Sequence, residues 1–226
     1  FLKPIKNHPN LTIFTKTEVL KLNYKNKKIV SLDIKHKNKI ISVKPKIGTI
    51  LCSGSIMTPY LLLKSGIGNA SDLKELNLPV NLHSSHVGKN FQDHLGLDYL
   101  YKTFAATLNK DLGTWSGRIK SVLKYLYNRS GPLSLSLNQG GGYINWNSLD
   151  PHPNIQLYFN PLTYSVSYKN RRPLLNTDKF NGFILGFNSC RPKSLGEVKL
   201  KSFKDSYLPS INPNYLSDER DIHDLY

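Results

Sequence analysis

Short apolar or alternating runs, separated by turns rich in lysine and asparagine, fill the chain from Leu11 to Cys52. Runs with this period of two are typical of half-buried β-strands. Asn26-Lys27 and Lys37-Asn38 are expected at turn tips, because asparagine tolerates left-handed backbone angles. The pattern predicts strands over residues 11–14, 19–24, 29–34, 40–43 and 48–51.

The last of these runs leads into a strand–glycine–helix junction. Residues 53–55 read Ser-Gly-Ser, and Thr58 followed by Pro59 reads as an N-cap and a first helical residue. The helix is expected over residues 60–64, with Leu62 and Leu63 on its buried face. Such a junction allows close approach of a ligand and turns a helix N-terminus towards negative charge, although many ordinary α/β connections share it.

The second half of the chain mixes helical and strand patterns. Apolar residues at helical spacing predict a helix over 119–127, and Ser71 is expected to open a shorter one. Residues 162–181 are polar and rich in tyrosine, lysine and arginine, which predicts a long surface excursion. Further strands are expected over 143–146, 155–159, 183–187 and 197–200.

Composition narrows the protein class. With 226 residues, 39% hydrophobic and 20% charged, the chain fits a globular protein better than a disordered or fibrous one. Its longest apolar stretch, residues 56–63, falls short of the ~20 residues of a membrane span. Cys52 and Cys190 lack CxxC spacing, and the pair His83 and His86 lacks further ligands, so no disulfide scaffold or metal site is expected.

The net charge of +16 raises the question of a nucleic-acid partner. The excess lies in the first 50 residues, where 12 Lys stand against 2 acidic residues. Only six of the 31 basic residues are arginine, the side chain that base readout favours. The lysines alternate with apolar residues, as on solvated strand faces, so no nucleic-acid partner is expected.

One segment carries a specific motif. Residues 54–68 read GSIMTPYLLLKSGIG. This string resembles the second signature of the glucose–methanol–choline (GMC) family of FAD-dependent oxidoreductases, with every fixed position filled. The resemblance continues, in the family's order, at residues 10–13, 17–19, 87–94 (VGKNFQDH), 131–133, 191–198 (RPKSLGEV) and 212–216.

The sequence also departs from the family pattern at three places. Leu195 replaces a usual arginine, Ser85-His86 replaces a common Pro-Gly, and Gln139 stands where choline-type members often carry an acid. The departure at Gln139 favours a neutral alcohol over a quaternary-ammonium substrate.

The resemblance implies an α/β fold with two domains. Residues 1–98 are expected to form the central part of a Rossmann-like FAD-binding domain. Residues 99–205 would form a substrate domain on an antiparallel or mixed sheet with helices, and residues 206–226 would return to the FAD domain. The chain starts with Phe1 and stops within a helical pattern, which reads as an internal piece of a longer protein.

The resemblance also implies FAD as cofactor and hydride transfer from a CH–OH donor. Val19 is expected to touch the adenine end of FAD through its backbone, with Ser53 and Gly54 close by. The electron acceptor would be oxygen, a quinone or another carrier.

The parts of the family site that carry the chemistry have no counterpart in this sequence. The chain has no GxGxxG loop, and none of its seven histidines matches the family's catalytic one, expected beyond Tyr226. His94 beside Asp93 is expected to be structural, the alternative being a base with its orienting carboxylate. The isolated chain should therefore hold FAD poorly and be inactive.

Two other functions stay open at this point. Hydroxynitrile lyases share the family fold and its FAD without using redox chemistry. A basic nucleic-acid-binding module is the other alternative.

Overall fold

The computed structural model describes residues 2–146, 151–167, 174–203 and 206–226. Elements in chain order are α1 (Leu2–Ile5), β1 (Thr17–Lys25), β2 (Lys28–His36), β3 (Lys39–Val43), α2 (Gly54–Lys64), β4 (Ile67–Gly68), α3 (Ala70–Glu75), β5 (Leu82–His83), β6 (Lys89–Phe91), β7 (Gly96–Lys102), α4 (Leu108–Leu112), α5 (Trp115–Asn128), β8 (Gly140–Ile144), β9 (Ile155–Asn160), β10 (Tyr164–Ser167), β11 (Leu174–Thr177), β12 (Gly182–Ser189), β13 (Gly196–Phe203), β14 (Ser206–Asn212) and α6 (Glu219–Leu225).

The chain forms two compact units. Unit 1 comprises Phe1–Gln92 and Leu195–Asn214, and unit 2 comprises Asp93–Ser194 and Tyr215–Tyr226. This division differs from the expected boundaries after residues 98 and 205. Residues 195–214 join unit 1 because β13 pairs with β6 as well as with β14. The roles of the two units as FAD and substrate domains stay predictions.

The first three strands of unit 1 form an antiparallel meander, β1-β2-β3. Positive φ angles at Asn26, Lys27, Lys37 and Asn38 confirm the predicted turn tips. The expected strands over residues 11–14 and 48–51 are wrong, since neither segment pairs with another within the described residues. Their apolar residues match a strand pattern, but a strand also needs a hydrogen-bonding neighbour.

The N-cap of helix α2 lies five residues before the predicted one. Ser53 is the N-cap and Gly54 the first helical residue, so Pro59 lies inside the helix. Pro59 removes one backbone hydrogen bond near the start of the helix. The helix continues past it because strands pack against α2 on both sides. Leu61 and Leu63 are buried, whereas Leu62 is half-buried.

The burial of Leu61 and Leu63 follows from the position of α2 between two sheets. The helix packs against β1 and also against β13 and β14. The expected core residue Leu63 is confirmed, and Leu62 is not part of the core.

We expect Leu63→Ala to lower the free energy of unfolding by ~2–5 kcal/mol, as for other buried leucines. Leu62→Ala, at the half-buried neighbouring position, is the matched control and should cost less. Urea unfolding of both variants measures the difference. Equal losses would contradict the placement of Leu63 in the core and Leu62 at its margin.

Unit 2 is built on a four-stranded antiparallel sheet in the order β7-β12-β9-β8. The predicted helix over 119–127 is confirmed within α5, and the strands expected over 155–159 and 183–187 are confirmed within β9 and β12. The predicted strand over 143–146 begins earlier, at the glycine run of β8.

The surface excursion expected over residues 162–181 is only partly correct. Its described part contains the antiparallel pair β10 and β11, and residues 168–173 lie outside the described residues. Leu162 and Thr163 are buried. Asn109 accounts for this, because its side chain accepts a hydrogen bond from the Thr163 N–H at 3.0 Å and donates to the Thr163 carbonyl at 2.8 Å.

The α/β class with an antiparallel sheet in the second half of the chain is confirmed. Among the described residues, the one parallel pairing is the short ladder between β4 and β5. No helix in the described part of the chain is long and apolar enough to span a membrane.

Candidate functional site

The junction at the start of α2 has an open backbone. Gly54 has φ +81°, and a Cβ built there would meet no heavy atom within 4 Å. Ser53 is exposed, and its side chain makes no capping hydrogen bond. The first turn of this 11-residue helix carries no acidic residue. Its free N–H groups therefore face an approachable surface that suits a ligand with oxygen acceptors.

A buried hydroxyl precedes the junction. Thr49 Oγ1 is shielded from solvent and has no hydrogen-bond partner among the described residues. A buried hydroxyl without a partner is unfavourable, so this atom is available to a group that approaches the segment before Gly54. FAD offers ribose hydroxyl and phosphate oxygens, and the residues present fit such a group.

Val19 lies on β1, one of the two edge strands of the meander, and is 38% exposed. The β1–β2 register shifts between Val19 and Lys21, which marks an irregularity next to Val19. Beyond it, the Leu22 N–H donates to Ser65 Oγ at 2.9 Å and ties β1 to the C-terminal end of α2. The structure thus brings β1 against α2, while a joint contact of Val19, Ser53 and Gly54 with FAD stays a prediction.

Ser65, in the second half of the signature string, has a structural role. It is fully buried, and its Oγ donates to the Leu61 carbonyl at 2.6 Å while it accepts from Leu22. Its own carbonyl accepts from Asn81 Nδ2 at 2.8 Å. Gly66 follows with φ +77°, and a Cβ there would overlap the Pro79 carbonyl. This end of the motif fixes α2 against β1 and the segment before β5.

Residues 88–92, within the VGKNFQDH motif, line a cavity of about 360 Å³ together with Ser55, Pro59 and Val198. The Val198 N–H donates to the Gly88 carbonyl at 2.6 Å, and Gly88 has φ +81°. The cavity therefore adjoins the first turns of α2, a neighbourhood that sequence reasoning missed. The sequence signal for this proximity is the order along the chain of the signature string, residues 54–68, and the VGKNFQDH motif.

Lys89 borders the same cavity and forms an ion pair with Glu197. Lys199 contacts the other oxygen of Glu197 at 2.7 Å. Hydrogen bonds from Lys199 and Lys89 hold the pKa of Glu197 below its ordinary value. Glu197 thus stays ionised and fixes the position of Lys89 at the cavity wall.

Asp93 does not orient the ring of His94. The Asp93 carboxylate accepts from the Tyr215 hydroxyl at 2.6 Å and from the His94 backbone N–H at 3.0 Å. The imidazole Nε2 instead lies 3.2 Å from the Cys190 carbonyl oxygen. The geometry supports the structural interpretation of His94, and the arrangement of a base with an orienting carboxylate is not formed.

Metal ligation has no support in the described part of the chain, where no group of three or more His, Cys, Asp or Glu side chains is close enough to hold an ion. His83 Nδ1 accepts from the Ala70 N–H at 3.2 Å, at the start of α3.

Comparison with known proteins gives the class. Residues 1–96 match the family model of the GMC oxidoreductases. An oxygen-dependent choline dehydrogenase of Paraburkholderia xenovorans is 30% identical over 221 residues, 98% of this chain and 38% of the relative. An alcohol dehydrogenase [acceptor] of Pseudomonas putida is 32% identical over 98% of this chain and 40% of the relative. The chain is thus similar to GMC oxidoreductases, by the family model over residues 1–96 and by these relatives over 98% of its length.

Solved structures show the same fold. A formate oxidase superposes with a TM-score of 0.82 at 22% identity, over 97% of this chain and 42% of that one. A pyridoxine 4-oxidase from Mesorbium loti gives a TM-score of 0.73 at 23% identity, over 98% of this chain and 38% of that one. The chain spans about two fifths of the length of the proteins that it matches.

Proposed function

We propose that the protein of which this chain forms part is an FAD-dependent oxidoreductase that oxidises the CH–OH group of an alcohol. The observation that carries the proposal is the open left-handed Gly54 at the start of α2, inside the signature string. An unhindered backbone at a helix N-terminus suits a dinucleotide, whose oxygens accept hydrogen bonds.

In this proposal, unit 1 holds the adenine end of FAD. The Val19 backbone, Ser53 and Gly54 would bind it, and the unpartnered Thr49 hydroxyl offers a further hydrogen bond. When bound, FAD supplies the acceptor for a hydride from the alcohol carbon. This chain contributes binding and orientation, because none of its histidines corresponds to the family's catalytic one.

Gln139, which is exposed and immediately precedes β8, supports a substrate class within this proposal. Its N–H donates to the Phe159 carbonyl at 3.0 Å, which continues the β8–β9 ladder by one residue. At this position a neutral amide replaces the acid often found in choline-type members. The position therefore favours neutral alcohols, with oxygen, a quinone or another carrier as the acceptor.

Anaerobic mixing of the protein encoded by the whole reading frame with a panel of primary alcohols tests the function. The oxidised flavin absorbance should bleach with at least one alcohol. A hydroxynitrile lyase on the same scaffold would leave the flavin oxidised while it cleaves a cyanohydrin, and a protein without bound flavin would contradict both.

Val19→Pro should weaken FAD retention in that protein, because proline removes the backbone N–H. Val19→Ile keeps the N–H and is the matched control, with retention close to the unsubstituted protein. Flavin absorbance per protein after gel filtration is the measurement, and circular dichroism checks that β1 still forms. Equal retention in two folded variants would count against backbone contact at Val19.

A further inference from the structure

Residues of α2, α3, β6 and β13 line a second cavity in unit 1, with a volume of about 150 Å³. Its apolar wall includes Leu63, Leu73 and Val198, which are buried. An apolar cavity of roughly this volume accommodates a group as large as benzene. The cavity therefore has room for a small apolar side chain such as an isobutyl group.

The acidic side of this cavity is formed by α3. Asp72 and Glu75 both line the cavity, and because they are three residues apart they lie on the same side of the helix. Within the described residues neither carboxylate forms an ion pair. This side therefore carries two negative charges without a fixed cationic partner.

The basic side is formed by β6 and β13. Lys89 and Lys199 line the cavity, and each forms an ion pair with Glu197. Glu197 balances only one of the two ammonium charges, so this side keeps one positive charge. Because an ammonium group has three donors, each lysine can also donate to a further acceptor.

The two sides lie close together but are not bridged by protein groups. The hydrogen bond and the charge of Glu197 raise the pKa of the Lys199 ammonium above its ordinary value, and the charges of Asp72 and Glu75 add to this effect. Lys199 nevertheless contacts Glu197, and no ion pair joins it to α3 in the described part of the chain. The acidic and basic sides are thus available to the two ends of one ligand.

We propose that this cavity binds a free α-amino acid with a branched aliphatic side chain, such as leucine, as a second ligand in addition to the alcohol. The ammonium group of the amino acid donates to Asp72 and Glu75, and its carboxylate accepts from Lys199 and Lys89. Its isobutyl group fills the apolar part of the cavity. A simple amine or a simple carboxylate would match only one of the two charged sides.

The site is separate from the residues proposed to bind FAD. Val19, Ser53 and Gly54 do not line this cavity, so its ligand depends neither on FAD nor on the alcohol. Lys89 and Val198 line both this cavity and the larger one beside α2. A bound amino acid would therefore contact side chains that also border the first turns of α2.

Calorimetric titration of the protein encoded by the whole reading frame with L-leucine tests the site. Saturable binding is expected, with a dissociation constant of roughly 0.1–1 mM because so small a ligand has few atoms with which to bind. 3-Methylbutylamine lacks the carboxylate of leucine, and 4-methylpentanoate lacks its ammonium group. Each analogue should bind about tenfold more weakly than leucine, through loss of its charged hydrogen bonds.

Substitutions on the two sides should act on different analogues. Asp72→Asn combined with Glu75→Gln should weaken leucine binding about tenfold and leave 4-methylpentanoate binding unchanged. Lys199→Met should weaken leucine binding and leave 3-methylbutylamine binding unchanged. Lys201→Met, at an exposed lysine two residues further along β13 and outside the cavity lining, is the matched control and should stay within about twofold.

Circular dichroism checks that each variant folds. Absence of saturable leucine binding, equal binding of leucine and both analogues, or unchanged leucine binding in the folded variant with both acids replaced would overturn the proposal. Flavin bleaching by alcohols, measured in the same preparation, tests the proposed function separately. Either proposal can therefore fail while the other stands.

Discussion

Gly66→Ala should lower the free energy of unfolding of the chain by ~2–5 kcal/mol. Alanine resists the left-handed angle that Gly66 adopts, at φ +77°. In addition, its Cβ would overlap the Pro79 carbonyl, and a backbone atom cannot swing aside as a side chain does. Urea unfolding monitored by circular dichroism provides the measurement.

Gly54→Ala is the matched control, because Gly54 has almost the same angle, φ +81°, in open surroundings. Only the conformational cost of about 1–2 kcal/mol should remain there. Equal losses at the two glycines would mean that the space around Gly66 has no influence. If Gly54→Ala folds and yet impairs FAD retention in the whole protein, the open backbone at the junction is a binding feature.

Asp221→Asn should destabilise the chain by ~2–4 kcal/mol, with the effect in unit 2. Asp221 is 4% exposed and accepts from the backbone N–H groups of Lys193 at 2.6 Å and Ser194 at 2.7 Å. An asparagine accepts only one of these bonds well and turns an N–H towards the other. Thermal unfolding of the two proteins at pH 7 measures the loss.

The pH dependence of stability provides a second readout for Asp221. Burial raises the pKa of its carboxyl, but the hydrogen bonds from Ser194 and Lys193 outweigh burial and hold the pKa below its ordinary value. In the unfolded chain the pKa of an aspartate carboxyl is about 3.9. Its contribution is therefore present above that pH and is lost as the pH falls through the lower folded pKa.

Unfolding midpoints measured from pH 7 down to pH 2 should fall less steeply at the acid end for Asp221→Asn than for the unsubstituted chain. Glu219→Gln, at an exposed acid on the first turn of α6, is the matched control and should keep the original profile. An unchanged profile in Asp221→Asn would show that the carboxylate contributes nothing to the acid limb.

The sequence predicted strands most accurately where each strand pairs with the next strand along the chain. The meander β1-β2-β3 and its turns could be read from alternation and asparagine alone, because each strand pairs with the next. Residues 48–51 have the same kind of pattern but no strand beside them in the described chain. Apolar alternation describes one strand, whereas pairing depends on a second.

The boundary of α2 shows a different limit. Thr58 and Pro59 are good N-terminal helix residues, yet Ser53 caps the helix. Contacts with the sheets on both sides outweigh local preference here. The sequence pattern predicted one buried face that contains Leu62 and Leu63. In the structure Leu61 and Leu63 are buried, because the helix packs against a sheet on each side.

For the candidate site, the sequence indicated Val19, Ser53 and Gly54 through the family resemblance, and the structure adds what surrounds them. Thr49 carries no local signal for its role, and Ser65, although it belongs to the signature string, carries none for the hydrogen bonds that it forms. The Thr49 hydroxyl is buried without a partner among the described residues, and the Ser65 hydroxyl connects β1 to α2. Each of these environments depends on residues that are distant along the chain. Such roles depend on packing, even where the residue belongs to a motif.

The pairing of β6 with β13 has a consequence for how the chain is made. Phe91 lies opposite Gly196, so unit 1 cannot complete this sheet until about 105 further residues have been synthesised. At roughly 5–20 residues per second, a nascent chain waits on the order of 5–20 s with one side of α2 uncovered. Meanwhile all of the sheet strands of unit 2 leave the ribosome first. Leu63, which lies beside Val198 of β13, is then exposed to chaperones and to other nascent chains for that interval.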